Sequence, residues 1–339
     1  MAKTALVISG GGSKGAFAVG ALSYIHQHVR PIDRFDLYCG TSTGSLIVPL
    51  AALGEMALLE QLYTTIRQAD VLILGGIANL LTGVSLHDAT PLKNLITSNL
   101  TDDRYTRLMA SGKPVFLTTV CLQTERLTYF VTQPAAARAF YDVNQIENVT
   151  DLRRAMLASS AQPVFIQPVE WRPGAVPVRQ YVDGGVRELT PFQAAIDNGA
   201  ETIIAITNSP AQTPADNTPL TNATAILDRT VDLFSEDVGD TDYRTAAFYQ
   251  QTNAYLQGVR ARLRAQGVAP AIINAALPAE GNPVAGTALT RIVAIRPATP
   301  LVEGGPGGLT FDPAAERQMF QKGVQEATKV FATQPPLLA

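Results

Sequence analysis

Apolar and polar positions alternate along this chain in blocks that change period, and the change of period marks the elements. The continuous apolar run Thr4–Ser9 predicts a buried strand, and the stripe Phe17, Ala21, Tyr24, Ile25 and His28 predicts the first helix. Phe35–Cys39 reads as a second short strand and Ser45–Leu53 as an apolar helix. Helices are expected over 55–68, over 91–100 behind Pro91, and over Thr150–Ala158, with strands near 114–122 and 125–131. Val178–Val182 is strand-like, Pro191–Asn198 is a helix closed by Gly199, and Glu201–Thr207 is a further strand. The Pro-, Thr- and Asn-rich stretch 208–222 is a loop. Phe248, Thr252, Tyr255, Leu256, Val259 and Leu263 then mark one face of a long helix. Asp312 caps the last helix before Pro313, with its stripe at Met319, Phe320, Gly323, Val324, Ala327, Val330 and Phe331. Strands alternating with helices through residue 210 predict an α/β fold, a three-layer α/β/α sandwich around a mostly parallel central sheet. No repeat or linker divides the chain, so residues 1–339 read as one domain: core motifs in 4–210, and helical additions in 211–339 completing the same fold.

Two glycine-containing joints give this pattern its chemistry. Gly40-Thr41-Ser42-Thr43-Gly44 places a serine where a strand turns sharply into a helix, and that turn demands small residues two positions before and after the serine. Gly10-Gly11-Gly12-Ser13-Lys14-Gly15 follows the first strand and opens the first helix, offering backbone N–H groups for an oxyanion. The loop also satisfies the G-x-G-x-x-G pattern of dinucleotide binding at Gly10, Gly12 and Gly15. That reading wants an acid at the end of the second strand. Asp33 and Asp36 fall before or at its start, and its end is Cys39-Gly40, where the serine turn begins. A phosphate-binding P-loop is excluded because Lys14 precedes Gly15.

The histidines constrain the partner of Ser42. His26, His28 and His87 are the only three, so a Ser–acid–His order has no histidine downstream to use. A carboxylate must be considered as the base. Asp183, delivered by Val178–Val182 into Gly184-Gly185, is the best placed, although Asp-Gly by itself also signals a hairpin.

In this order, Gly10–Phe17, Gly40–Gly44, Ala158–Pro163 with Val164-Phe165 and Pro168-Val169, and Asp183–Gly185 resemble the patatin-like phospholipase family. The resemblance covers about the first 210 residues and extends loosely through Arg291–Pro297 and the last helix. It implies a patatin-like fold and a lipid acyl hydrolase that cleaves carboxylic esters with a Ser-Asp dyad. The implied roles are Ser42 as nucleophile, Asp183 as base, Gly40 and Gly44 as elbow residues, and Gly184 and Gly185 as the turn. Oxyanion donors are expected from the amides of Gly11 and Gly12, and also of Gly10 and Ser13. No cofactor and no metal is implied, and the partner is a lipid or acyl-ester substrate. One departure stands out: many members continue from D-G-G through an Asn-Pro pair, whereas this chain has Val186-Arg-Glu-Leu-Thr-Pro191. The leaving-group side is therefore expected to differ in shape. Acyl transfer to another acceptor and an inactive lipid-binding scaffold remain as alternatives.

Composition adds limits. A net charge of −3 over 339 residues gives no reason to expect nucleic acid. Cys39 and Cys121 make neither a disulfide framework nor a metal spacing. No charged, apolar-cored leader precedes the first strand, so a cytoplasmic protein is expected, with peripheral contact at a membrane where the substrate resides. Residues 71–86 carry no charge; they are too short and glycine-broken to span a bilayer, and read as a buried strand and turn or as a lid over an acyl channel.

Overall fold

A computed structural model describes residues 3–76, 79, 83–213, 215, 217, 219–278, 280, 284, 291–302 and 308–333. Nine strands form one sheet: β1 (Thr4–Ile8), β2 (Leu37–Thr41), β3 (Val115–Cys121), β4 (Leu127–Val131), β5 (Tyr141–Gln145), β6 (Val169–Glu170), β7 (Gln180–Asp183), β8 (Thr202–Ile206) and β9 (Arg291–Ile295). The main order is β5-β4-β3-β2-β1-β8-β9, and β6 and β7 join at β3. Pairing is parallel through β3-β2-β1-β8-β9 and between β4 and β5, and antiparallel at β3-β4, β3-β7 and β6-β7. The central strands β1 and β2 are buried at every position, which is why they read as continuous apolar runs.

The helices are α1 (Gly15–His28), α2 (Thr43–Ala52), α3 (Met56–Thr65), α4 (Gln68–Val71), α5 (Thr90–Asn99), α6 (Asp102–Ala110), α7 (Val149–Ser159), α8 (Phe192–Asp197), α9 (Ala223–Ala265), α10 (Pro270–Ala276) and α11 (Pro313–Thr333). Side chains alternating along the strands feed two separate cores. Leu6, Ile8, Tyr38 and Leu117 pack under α1, α2, α3, α5, α7 and α11. Ala5, Val7, Leu37 and Cys39 pack on the other face against α8 and Ala246 of α9. The result is a three-layer α/β/α sandwich with a mostly parallel sheet.

Several expectations change. The helix expected over 55–68 breaks at Ile66-Arg67 into α3 and α4. On α9, Phe248 is 61% and Tyr255 67% exposed, while Thr252, Leu256, Val259 and Leu263 of the same stripe are half-buried. The helix meets the body through Asp242, Tyr243 and Ala246. The 71–86 stretch is neither a simple buried strand nor wholly exposed. Val71, Leu72 and Leu86 are buried, Ile73 bridges to Asp88, and Ile73, Leu74 and Val84 are exposed. Residues 77, 78 and 80–82 of it lie outside those described.

Candidate active site

The register of β3 brings the site together. β2 pairs with β3 only as far as Thr41 opposite Thr118, and then leaves the sheet at Ser42. The edge of β3 thus freed is taken by β7, with Asp183 opposite Thr119. Ser42 and Asp183 thus stand at adjoining rungs of one strand. The Ser42 side chain lies beside the Asp183 carboxylate, near enough to favour its charged form, and the Gly185 N–H donates to Asp183 Oδ1 at 2.8 Å.

Ser42 holds φ 55° and ψ −123°, a backbone region that L residues rarely adopt. The neighbouring glycines make this turn feasible. A Cβ on Gly40 would collide with the carbonyl of Gly44, and one on Gly44 with the carbonyl of Ile8. The strained residue is held by its neighbours: its N–H donates to Ser159 Oγ at 2.9 Å, and Ser159 Oγ donates to Thr118 O at 2.6 Å. Ser45 N–H closes onto Ser42 O at 2.9 Å. Ser42 occupies the N-cap position of α2 without capping it through its side chain, so the hydroxyl is left for Asp183, and the positive end of the helix faces the site.

Asp183 is buried, and this pushes its carboxyl up to about 6 despite the donors from Ser42 and Gly185. A carboxylate so placed can accept a proton near neutrality, which an ordinary aspartate cannot do efficiently.

The glycine loop resolves into two kinds of amide. Gly11 and Gly12 carry φ of 148° and 57°, and among the described residues their N–H groups have no recorded acceptor. Gly10 N–H donates to Leu189 O at 3.0 Å, and Ser13 N–H to Gly308 O at 2.8 Å. These two amides are engaged inside the protein and anchor the loop at either end. That engagement departs from the four-donor expectation, for a reason no local motif contains: both acceptors come from distant segments. Asn208 Nδ2 adds donors to Ser9 O and Gly10 O at 3.2 and 3.1 Å.

The departure after D-G-G has a structural role. Leu189 accepts from Gly10 and packs beside Gly10 and Gly185, while Glu188 O accepts from Thr41 Oγ1 at 3.1 Å. Asp242 of α9 accepts from the amides of Leu189 and Thr190 at 2.8 and 2.9 Å. Beneath them Glu188 receives the Tyr129 hydroxyl and the Gln193 N–H. Burial raises Glu188 to about 8, with the Asp242 charge adding to the effect, and burial raises Asp242 to about 7. Glu188, Asp242, Asn208, Ser159 and Gly308 carry no sequence motif of their own for these tasks. Ser159 and Glu188 alone lie within motif blocks quoted from the sequence, and neither is assigned these tasks there.

Ser42, Asp183 and the glycine loop open onto a cavity of about 430 Å³. Leu46, Leu50, Leu62, Ile96 and Met156 give it an apolar wall, and Val71 and Leu72 from the uncharged stretch contribute to it. None of the three histidines lines it. His26 Nδ1 accepts the Ile32 N–H, His87 Nδ1 accepts the Gly75 N–H, and His28 packs on Tyr24. The dinucleotide alternative also loses its acid, because Asp36 Oδ2 accepts the Thr4 N–H at the start of the strands. Among the described residues no cluster of side chains could hold a metal ion, and no helix is long and apolar enough to cross a membrane.

Comparison with known proteins bears on the same segments. The uncharacterized protein YjjU of Escherichia coli is 30% identical over 217 residues, 62% of this chain and 53% of its own length. A cUMP-AMP-activated phospholipase of Escherichia coli is 45% identical over 62 residues, 17% of this chain and 19% of its own. The matches thus span about half the length of one relative and a fifth of the other. VipD from Legionella pneumophila superposes over 98% of this chain and 67% of its own with a TM-score of 0.48 and 10% identity. The model of the patatin-like phospholipase family matches residues 6–196, which include the glycine loop, the elbow and the D-G-G turn, and the chain belongs to that family.

Proposed function

We propose that this protein is a lipid acyl hydrolase in which Ser42 is the nucleophile, Asp183 the base, and the Gly11 and Gly12 amides the oxyanion donors. Membership of a phospholipase family supports lipid hydrolysis at the level of class. The observation that carries the finer reading is the juxtaposition of the strained Ser42 with the buried Asp183 at the mouth of an apolar cavity.

In the proposed reaction Asp183 takes the Ser42 proton as Oγ bonds to the ester carbonyl carbon. The oxyanion is held by the two amides and by the N-terminus of α2, an effect worth about 3 kcal/mol per donor in comparable sites. The carbonyl re-forms as the C–O bond to the alcohol breaks, and Asp183 returns its proton to the leaving oxygen. The same carboxylate then deprotonates water, which releases the acid and restores Ser42. Exposed Val164, Val186 and Phe234 line the cavity, so the mouth would meet a lipid–water interface with apolar groups. A fluorophosphonate probe tests the assignment: it should label the wild type at Ser42 and leave a folded Ser42→Ala variant unlabelled. Labelling elsewhere would defeat it. Product analysis on a mixed lipid extract then distinguishes release to water from transfer to another acceptor.

A further inference from the structure

Helix α3 packs against both α1 and α2, the helices that open from the glycine loop and from the elbow. Met56 and Leu59 are buried on its inner face, and Tyr63 follows Leu59 by four residues, a spacing that keeps it on that face. Two polar contacts make the helix a brace. Ser23 Oγ of α1 donates to Glu60 Oε1 at 2.6 Å. The Tyr63 hydroxyl lies 2.7 Å from Thr43 Oγ1 of α2, where either oxygen can donate, and 3.3 Å from Thr43 O.

Thr43 follows Ser42 directly and is the first residue of α2, so the second contact acts on the elbow itself. The same pair touches the other joint. A Cβ on Gly15, the first residue of α1, would collide with both Thr43 Oγ1 and Tyr63 Cε1. The Thr43–Tyr63 pair is therefore wedged between the starts of two helices, one carrying the nucleophile and the other continuing the glycine loop. Thr43 is buried and Tyr63 half-buried. Burial raises the Tyr63 phenol above its ordinary value, so it stays a neutral hydroxyl that can hold the contact. Ester attack needs Ser42 Oγ aimed at a carbonyl carbon while the loop amides meet the carbonyl oxygen, and a misplacement of about 1 Å between such groups costs about 100-fold in rate. A spacer between the two helix starts acts on that distance.

Resting on the acyl-hydrolase reading, we propose that Tyr63 is a positioning residue for the reaction: through its hydroxyl contact with Thr43 it holds the start of α2 against the start of α1, and so sets Ser42 Oγ against the Gly11 and Gly12 amides. Tyr63 makes no bond to the substrate in this role. The alignment matters most as the carbonyl becomes tetrahedral, so its loss falls on kcat and leaves KM in place. A tyrosine that merely filled the cavity wall would behave differently: its ring would count and its hydroxyl would be dispensable.

The test compares hydrolysis of p-nitrophenyl butyrate by wild type, Tyr63→Phe, Thr43→Val and Thr43→Ser, each checked for folding by circular dichroism. Tyr63→Phe keeps the ring and removes one oxygen, and Thr43→Val keeps the shape and removes the partner oxygen. Each should lower kcat about 30-fold with KM held within about twofold. The combined Tyr63→Phe/Thr43→Val variant should be at most about twofold slower than either, because one contact is lost in all three. Thr43→Ser, which keeps the hydroxyl, should stay within about threefold of wild type in kcat. Affinity for an alkyl trifluoromethyl ketone, whose adduct with Ser42 carries an oxyanion, should fall in parallel with kcat, while affinity for the alkyl alcohol of equal length should not. Wild-type kcat in Tyr63→Phe, losses confined to KM, or losses that multiply in the combined variant would overturn the positioning role. Should Tyr63→Phe fail to fold, Thr43→Val against Thr43→Ser decides the same question. Turnover that survives Ser42→Ala overturns the hydrolase reading and this role with it, whereas Ser42-dependent turnover that ignores Tyr63→Phe overturns this role alone.

Discussion

The two sides of the cavity are built on different terms. On the sheet side, backbone sets most of the site: a strand register sets Ser42 near Asp183, carbonyl oxygens forbid a Cβ at Gly40 and Gly44, and amides pin the glycine loop to Leu189 and Gly308, with the Ser159 and Asn208 side chains bracing Ser42 and the loop. On the other side α9 exposes Ile226, Leu233, Phe234, Phe248 and Tyr255, and attaches through a few side chains around Asp242 and Ala246. Backbone-fixed geometry tolerates little substitution, whereas the exposed stretches of α9 away from Asp242 can change with less effect on it. On the proposed reading, bond-breaking belongs to the sheet side and contact with the lipid surface to the helix.

The contrast would break first at the dyad. Ser42→Ala should lower ester turnover on the order of 10⁴-fold or more, Asp183→Asn nearly as much, and the double variant little further, because the two act as one proton-transfer unit. An Asp183→Asn enzyme keeping a tenth of wild-type kcat would leave Asp183 only a turn residue. Next comes Gly44→Ala, which should cost about 3 kcal/mol or more of stability in denaturant titration, since the added methyl meets the Ile8 carbonyl. A Gly44→Ala protein as stable as wild type would show that the elbow is not held by contact.

The pH profile sharpens the same side. Asp183 must be ionised to act as base, and its carboxyl is raised to about 6, so kcat/KM should fall about tenfold per pH unit below pH 6. A profile flat to pH 5 would exclude it. The sign for stability is opposite. The folded value lies above the ordinary value, so this group's contribution is fully present below about pH 4 and lost as pH rises through 6. Asp183→Asn should therefore gain stability relative to wild type as pH rises from 4 to 8, by about 3 kcal/mol.

The helix side should respond more weakly and selectively. Leu233→Ser with Phe234→Ser should slow hydrolysis of vesicle lipid about fivefold and leave a soluble ester unchanged, since about 1 kcal/mol of interfacial burial is removed. Equal losses on both substrates would make α9 part of the chemistry. The smallest effect is expected from His26→Gln/His28→Gln/His87→Gln, which should stay within about tenfold of wild type when folded. A loss of thousands of fold would reinstate a histidine as base.

Legibility in the sequence followed the same division. The elbow could be read because its steric demand is local, falling on Gly40 and Gly44 within two residues of Ser42. Asp183 could be singled out only through the absence of a downstream histidine and the family resemblance, since Asp-Gly alone also signals a hairpin. The fates of Gly10 and Ser13 could not, since the acceptors Leu189 O and Gly308 O arrive from distant segments. On α9 the periodic face at Phe248 and Tyr255 told nothing of the attachment, which is made by a small residue and a carboxylate that binds backbone amides. Helix α6 and edge strand β5 escaped because polar residues dominate the first and a half-exposed Asp-Val-Asn-Gln run makes up most of the second.

The sharing of β3 also sets an order of assembly. Until Tyr181–Asp183 has been synthesised, the end of β3 beyond Thr118 has no partner on that side, and Thr119–Cys121 is an open edge able to pair with another chain. Closing it needs contacts across a long stretch of sequence, which form late in folding. The strand that would deliver the base is thus also the strand that closes this edge of the sheet to other chains.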